Sequence, residues 1–117
     1  MSTQEIANRL VELCRTGNYD QVYSELFAPN AVNIEPEHAN MPSVTGVEAI
    51  KQKGAQFNEM IQTVHSSYVS DPIVAGNHIT LTMGVDFTSK DGNRVNMEEV
   101  CVYEVKDGKI VKEQFFF

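Results

Sequence analysis

Basic residues are scarce in this chain: nine lysines and arginines stand against sixteen aspartates and glutamates, for a formal charge of -7. That leaves no electrostatic footprint for a phosphate backbone or an anionic membrane surface, so neither nucleic acid nor membrane is expected as a partner. Cysteine is almost missing as well. Cys14 and Cys101 are far apart, fit no metal-ligand or CxxC spacing, and read as reduced, buried small side chains. No apolar run approaches membrane-spanning length, and the opening MSTQEIANRL has neither the basic nor the apolar region of a signal peptide, so a cytoplasmic location is expected. GxSxG, Walker-type and dinucleotide glycine patterns, a zinc-protease helix and a converging set of histidines and acids are all absent. No metal and no cofactor is therefore expected. Repeats, low-complexity tracts and linkers are also lacking, and residues 1–117 read as one domain, a size that buries roughly two-thirds of its unfolded surface.

What is present starts with helices. Ser2-x-x-Glu5 is a capping box, followed by Ile6, Leu10, Leu13 and Cys14 at helical spacing until Gly17 supplies a stop. A second, shorter helix is expected from Asn18 or Asp20 through Val22, Tyr23, Leu26 and Phe27, broken by Pro29. Thr45-x-x-Glu48 reads as another capping box, opening a third helix with the stripe Val47, Ile50, Gly54, Phe57 and Ile61. Gly54 there costs about 1 kcal/mol relative to alanine, which suggests close packing on the sheet or the wall of a cavity. From Thr63 onward the period turns from helical to alternating, with turns at Ala75-Gly76-Asn77, Lys90-Asp91-Gly92 and Lys106-Asp107-Gly108, which describes four antiparallel strands. The order gives an α+β domain with helices on one face of a curved sheet.

Strand register decides which acids face inward. Taking both Lys-Asp-Gly loops as three-residue turns with a left-handed glycine, Phe87 opposes Val95, Val85 Met97, Met83 Glu99, Leu81 Cys101 and Ile79 Tyr103. On the far side Tyr103 opposes Val111, Cys101 Glu113, Glu99 Phe115 and Met97 Phe117. One apolar face results, with Glu99 and Glu113 in it as diagonal neighbours. A two-residue Asp107-Gly108 turn would instead set Gln114 beside Cys101 and send Glu113 outward, since a slip of one residue inverts every side chain. A buried carboxylate must be protonated, paired or wet; Arg9, Lys51 and Lys53 are the candidate partners. Burial and like-charge coupling raise a carboxyl pKa into the range that general acid–base catalysis uses.

The segments ELFAPNAVNIEP, TGVEAI and VYEVKDGKIVKEQFFF, in that order and covering nearly the whole chain, resemble the nuclear transport factor two-like superfamily, and within it the SnoaL-like polyketide cyclases and ketosteroid isomerases. The resemblance implies a cone-shaped α+β barrel: three N-terminal helices packed on a strongly curved, antiparallel to mixed sheet around an apolar pocket, commonly dimeric through the sheet. It also implies that Glu35 of NIEP is the proton-shuttling acid. Matching through ANRLVELCRTGN puts Leu10 where the isomerases carry a tyrosine, and matching through VCVYEV puts Cys101 where they carry a protonated aspartate. Both departures count against steroid isomerisation by that mechanism. Glu99 or Glu113 is then the candidate second acid, with Leu10, Phe57, Met83, Cys101, Tyr103 and Phe115 as walls and His38 at the mouth. Of His65 and Tyr68, alternation lets only one face the cavity. The opposite face, with Val100, Val102, Ile110 and Phe116 among charged residues, is the expected homodimer surface. Two readings stand: an isomerase or cyclase acting on a small apolar carbonyl compound, and a non-catalytic binding or dimerisation module.

Overall fold

The computed structural model describes all residues 1–117. Helix α1 runs Thr3–Arg15 with the capping box formed in both directions: the Glu5 amide donates to Ser2 Oγ at 3.1 Å and the Ser2 amide donates to Glu5 Oε1 at 2.9 Å. Helix α2 spans Tyr19–Leu26 and passes directly into strand β1, Phe27–Ile34. Phe27 therefore belongs to the strand, and Pro29 does not end the helix. It sits in the stretch of β1 between Phe27 and Val32 where the ladder to the neighbouring strand is interrupted, a place where a missing N–H costs nothing.

Strand β2 is the pair Val44–Thr45, and helix α3 follows at Val47–Met60. The second capping box is not formed. Thr45 is spent on pairing with Val32, and Gly46, at φ +95°, takes the cap position with no side-chain bond. Gly54 of α3 faces the Tyr23 hydroxyl of α2 and not the sheet. Ile61 already begins β3, Ile61–Val69, which is followed by β4 at Ile73–Ala75, β5 at His78–Ser89, β6 at Arg94–Lys106 and β7 at Lys109–Phe116.

The strands form one mixed sheet in the order β2-β1-β7-β6-β5-β3, with β4 also on β5; β1 and β7 run parallel and the other pairs antiparallel. The sheet is not closed. Helix α1 lies across its inner face, and Ile6, Leu10 and Leu13 join Ile79, Leu81, Cys101, Tyr103, Val105 and Ile110 in one buried cluster.

The β5–β6 register is as expected, with Met83 opposite Glu99 and Leu81 opposite Cys101 around the three-residue loop. The β6–β7 register is neither of the two expected. Lys106 pairs with Lys109, so Asp107 and Gly108 form a two-residue turn, both in the left-handed region at φ +53° and +76°, the geometry that suits the twist of a hairpin. A bulge at Val111 then adds one residue to β7, and Tyr103 comes opposite Glu113 and Cys101 opposite Phe115. The bulge returns Glu113 to the inner face. It also corrects the dimer surface: Ile110, paired with Val105, is fully buried in the core and absent from the outer face. Glu99 and Glu113 are not diagonal neighbours, since Cys101 stands between them along the sheet.

A second bulge, between Val64 and Ser66 of β3, settles His65 and Tyr68. His65 Nε2 lies 2.7 Å from Thr88 Oγ1, and Tyr68 bonds Glu98, both partners being on the outer face. Simple alternation would have separated them; the extra residue puts both outside.

Candidate functional site

Alternation along β1 buries Ala31 and Asn33 and brings Glu35, one step past the strand, to the same side. The chain leaves the strand there under control, because the Glu35 amide donates to Ser43 Oγ at 2.9 Å. The Glu35 carboxylate meets Lys53 Nζ at 2.7 Å, with each side chain only 10% exposed. Lys53 reaches it from α3, where it lies three residues after Ile50 and four before Phe57, on the helix's inward stripe. The same ammonium donates to Asn33 Oδ1, and Asn33 Nδ2 donates to Glu113 Oε1 at 2.7 Å. A continuous polar chain, Glu35 to Lys53 to Asn33 to Glu113, thus runs from the end of β1 into the core. Glu99, half-buried on β6, is bound only by the Cys101 thiol, which donates to its Oε1 at 3.8 Å.

The electrostatics follow from this arrangement. Burial, and then the charge of Glu35, push the Glu99 carboxyl up to about 7, against the Cys101 bond and Lys53, which act downward. Glu113, 5% exposed, is pushed up to about 7 first by burial, opposed by the Asn33 bond and Lys53, with Glu99 and Glu35 adding upward. Burial also raises the thiols and phenols around them, Cys14 and Tyr19 to about 12 and Cys101, Tyr23 and Tyr103 upward as well, so none of these is a base at neutral pH. The site holds an ion pair plus two carboxyls that gain or lose a proton near neutrality, the condition for general acid–base chemistry.

The structure therefore brings Glu35, Glu99 and Glu113 to one region. Leu10, Cys101 and Tyr103 are buried and closed off by their neighbours in this conformation. Met83 and Phe115 are partly buried against the core, and Phe57 packs edge-on against Phe87 at 5.7 Å between ring centres. His38 is exposed and stacks edge-on with Phe117 at 5.3 Å. Two surface hollows, of about 430 Å³ along α1 at Arg15 and Asp71 and of about 280 Å³ on the outer face at Tyr68 and Glu98, involve none of the residues expected to form the site. No three His, Cys, Asp or Glu side chains are grouped to hold a metal. Of the three candidate partners, Arg9, Lys51 and Lys53, the structure selects Lys53. Asn33 is the site residue that the sequence reading passed over, although its signal was there: a polar residue at an inward strand position.

The sequence profile of the SnoaL-like domain matches residues 1–117. This chain belongs to the SnoaL-like family. A solved protein of Mesorhizobium loti, provisionally assigned as a SnoaL-like polyketide cyclase with carbohydrate phosphatase also given, is 34% identical over 100% of both chains, with a TM-score of 0.92. The fold of this SnoaL-like domain recurs in a cystatin-like protein of unknown function from Xanthomonas campestris, 20% identical over 99% of this chain and 90% of that one, TM-score 0.80. It recurs also in a ketosteroid isomerase-like fold from Catenulispora acidiphila, solved with trimethylamine, 21% identical over 99% and 87%, TM-score 0.75. A search among curated proteins finds no match for the SnoaL-like chain. No helix in it is long and apolar enough to cross a membrane.

Proposed function

We propose that this SnoaL-like protein binds a small apolar carbonyl compound and moves a proton on it, as an isomerase or cyclase does, without a cofactor. The observation that supports this reading is the gathering of three glutamates behind the helices, one ionised against Lys53 and two raised to about 7. Glu35, held as a carboxylate, takes a proton from the carbon next to the carbonyl, and protonated Glu99 donates to the carbonyl oxygen. The Glu99 carboxylate then takes the enol proton back while Glu35 returns its proton either to a conjugated carbon, giving an isomer, or to the oxygen of a second carbonyl whose carbon the enol has attacked, closing a ring. Met83, Phe57 and Phe115 supply apolar contact, and the ligand enters by displacing side chains at the mouth near His38 and Phe117. A second copy covers the outer face, where Val100 and Phe116 sit opposite each other, 41% and 49% exposed, beside Val102.

Exchange of the α-protons of 2-tetralone for solvent deuterium, followed by proton NMR, tests the chemistry without knowledge of the natural substrate. The wild type should accelerate exchange, and Glu35→Gln or Glu99→Gln should lower the acceleration on the order of 10²-fold, the usual weight of a positioned acid or base. Equal exchange in all three removes the catalytic reading. A second reading, a non-catalytic binding or dimerisation module, is favoured by the closed packing of Leu10, Cys101 and Tyr103, and equal exchange in a folded dimer is its expected result.

A further inference from the structure

Three acids share this site, and their surroundings differ in one respect: two are joined to the same cation and one is not. Lys53 Nζ has three donors; one is on Glu35 Oε2 at 2.7 Å and one on Asn33 Oδ1, whose amide nitrogen holds Glu113 at 2.7 Å. Glu99 takes only the weak bond from Cys101. We propose that Lys53, tied in place by Asn33, is the positioning residue that divides labour among the glutamates, fixing Glu35 as the ionised base, holding Glu113 in the same bonded unit, and leaving Glu99 to carry the exchangeable proton.

Several features support this assignment. A buried ion pair adds little stability beyond what apolar packing in its place would give. What Lys53 contributes is thus charge and position. Apolar side chains flank it on its own stripe of α3, so nothing in the pattern of the helix calls for a cation there. Among the groups that face Glu99 and Glu113, Glu35 follows β1, Cys14 is on α1, Tyr19 and Tyr23 on α2, and Cys101 and Tyr103 on β6; Lys53 is the cation that acts on both acids. Its two bonds, to Asn33 of β1 and to Glu35 just past it, fix the ammonium at the end of β1, so a change at Lys53 reaches Glu35 directly, Glu113 on β7 through Asn33, and Glu99 through charge alone.

The inference rests on the proton-transfer reading for its purpose, but its test does not. Titrating carbon-13-labelled glutamates by NMR in the free protein needs no ligand. In Lys53→Met the midpoints of Glu99 and Glu113 should both rise by about one pH unit, the low end of what a nearby opposite charge accounts for, while Lys53→Arg should hold both close to wild type. Because Lys53→Met strands a buried carboxylate and can unfold the protein, Lys53→Met/Glu35→Gln is the second variant. In it the midpoint of Glu99 should fall, since Glu35 outweighs Lys53 there, and that of Glu113 should rise, since Lys53 outweighs Glu35 there. Midpoints that stay in place in the folded variants overturn the role of Lys53, even where Glu35→Gln and Glu99→Gln abolish tetralone exchange. Moved midpoints with exchange intact in those two variants leave Lys53 as the organiser of the charges and remove only the chemistry.

Discussion

Glu113→Gln offers a direct reading of what it costs to keep a carboxylate inside this fold. The side chain is 5% exposed, accepts a bond from Asn33, and has its pKa raised from an ordinary 4.5 to about 7. Between those two values the folded protein keeps a proton that the unfolded chain has released. The stabilising contribution is therefore fully present below pH 4.5 and is lost as pH rises through 7. A displacement of about two and a half pH units, at 1.36 kcal/mol per unit, makes the loss about 3 kcal/mol for an isolated group, spread over a broader range where Glu99 and Glu113 titrate together. Glu5, Glu25, Asp86 and Asp91 are lowered, by bonds to Ser2, Arg9, Arg94 and Ser89 respectively, so they are ionised in both states above pH 5 and add no slope there. Urea unfolding of wild type and variant from pH 5.5 to 8.5 is the assay. Wild type should lose stability across the range, and the variant, whose neutral carboxamide still accepts from Asn33, should lose about 2 kcal/mol less, the remainder of the loss falling below pH 5.5. Parallel curves, or a wild type that gains stability as pH rises, would show that Glu113 reaches water and that the burial argument is wrong.

Three further outcomes are expected. Ser2→Ala removes the cap of α1 and should cost about 1 kcal/mol in denaturant unfolding with the fold intact. Gly84→Ala puts a methyl group where the Tyr68 ring lies flat across the sheet, so the ring must leave Glu98. Tyrosine fluorescence and a stability loss of about 1–2 kcal/mol should report it, the scale of an overpacked contact. Phe116→Asp sets a charge in the outer apolar patch. Light scattering at micromolar concentration should show the wild type as a dimer and the variant as a monomer, and a monomeric wild type would remove the dimer.

The sequence revealed the acids more readily than their partners. The α1 capping box and the three-residue loop between β5 and β6 carry their geometry in local residue chemistry, and both form as read. The turn at Asp107-Gly108 was misread because Asp107 itself adopts a positive φ, and the bulge at Val111 then restored the inward side of Glu113. Two local errors cancelled at the one residue that mattered, and did not cancel at Ile110. Bulges leave no mark in composition, which is also why His65 and Tyr68 could not be placed. Thr45 failed as a cap because a long-range partner, Val32, claimed its backbone. Lys53 stood among three possible partners because charge alone does not distinguish it from Arg9 and Lys51, and Asn33 escaped notice because a search for apolar stripes counts an asparagine as an interruption, whereas here it is an inward-facing member of its strand.

The central claim is that Glu99 and Glu113 hold their protons into the neutral range because the fold shields them from water. Carbon-13 titration of the glutamate side-chain carboxyls in the wild-type protein measures this without substrate or mutation. Two midpoints near 7, standing apart from the exposed glutamates, are the outcome that the structure calls for; a full set of midpoints at ordinary glutamate values would contradict it.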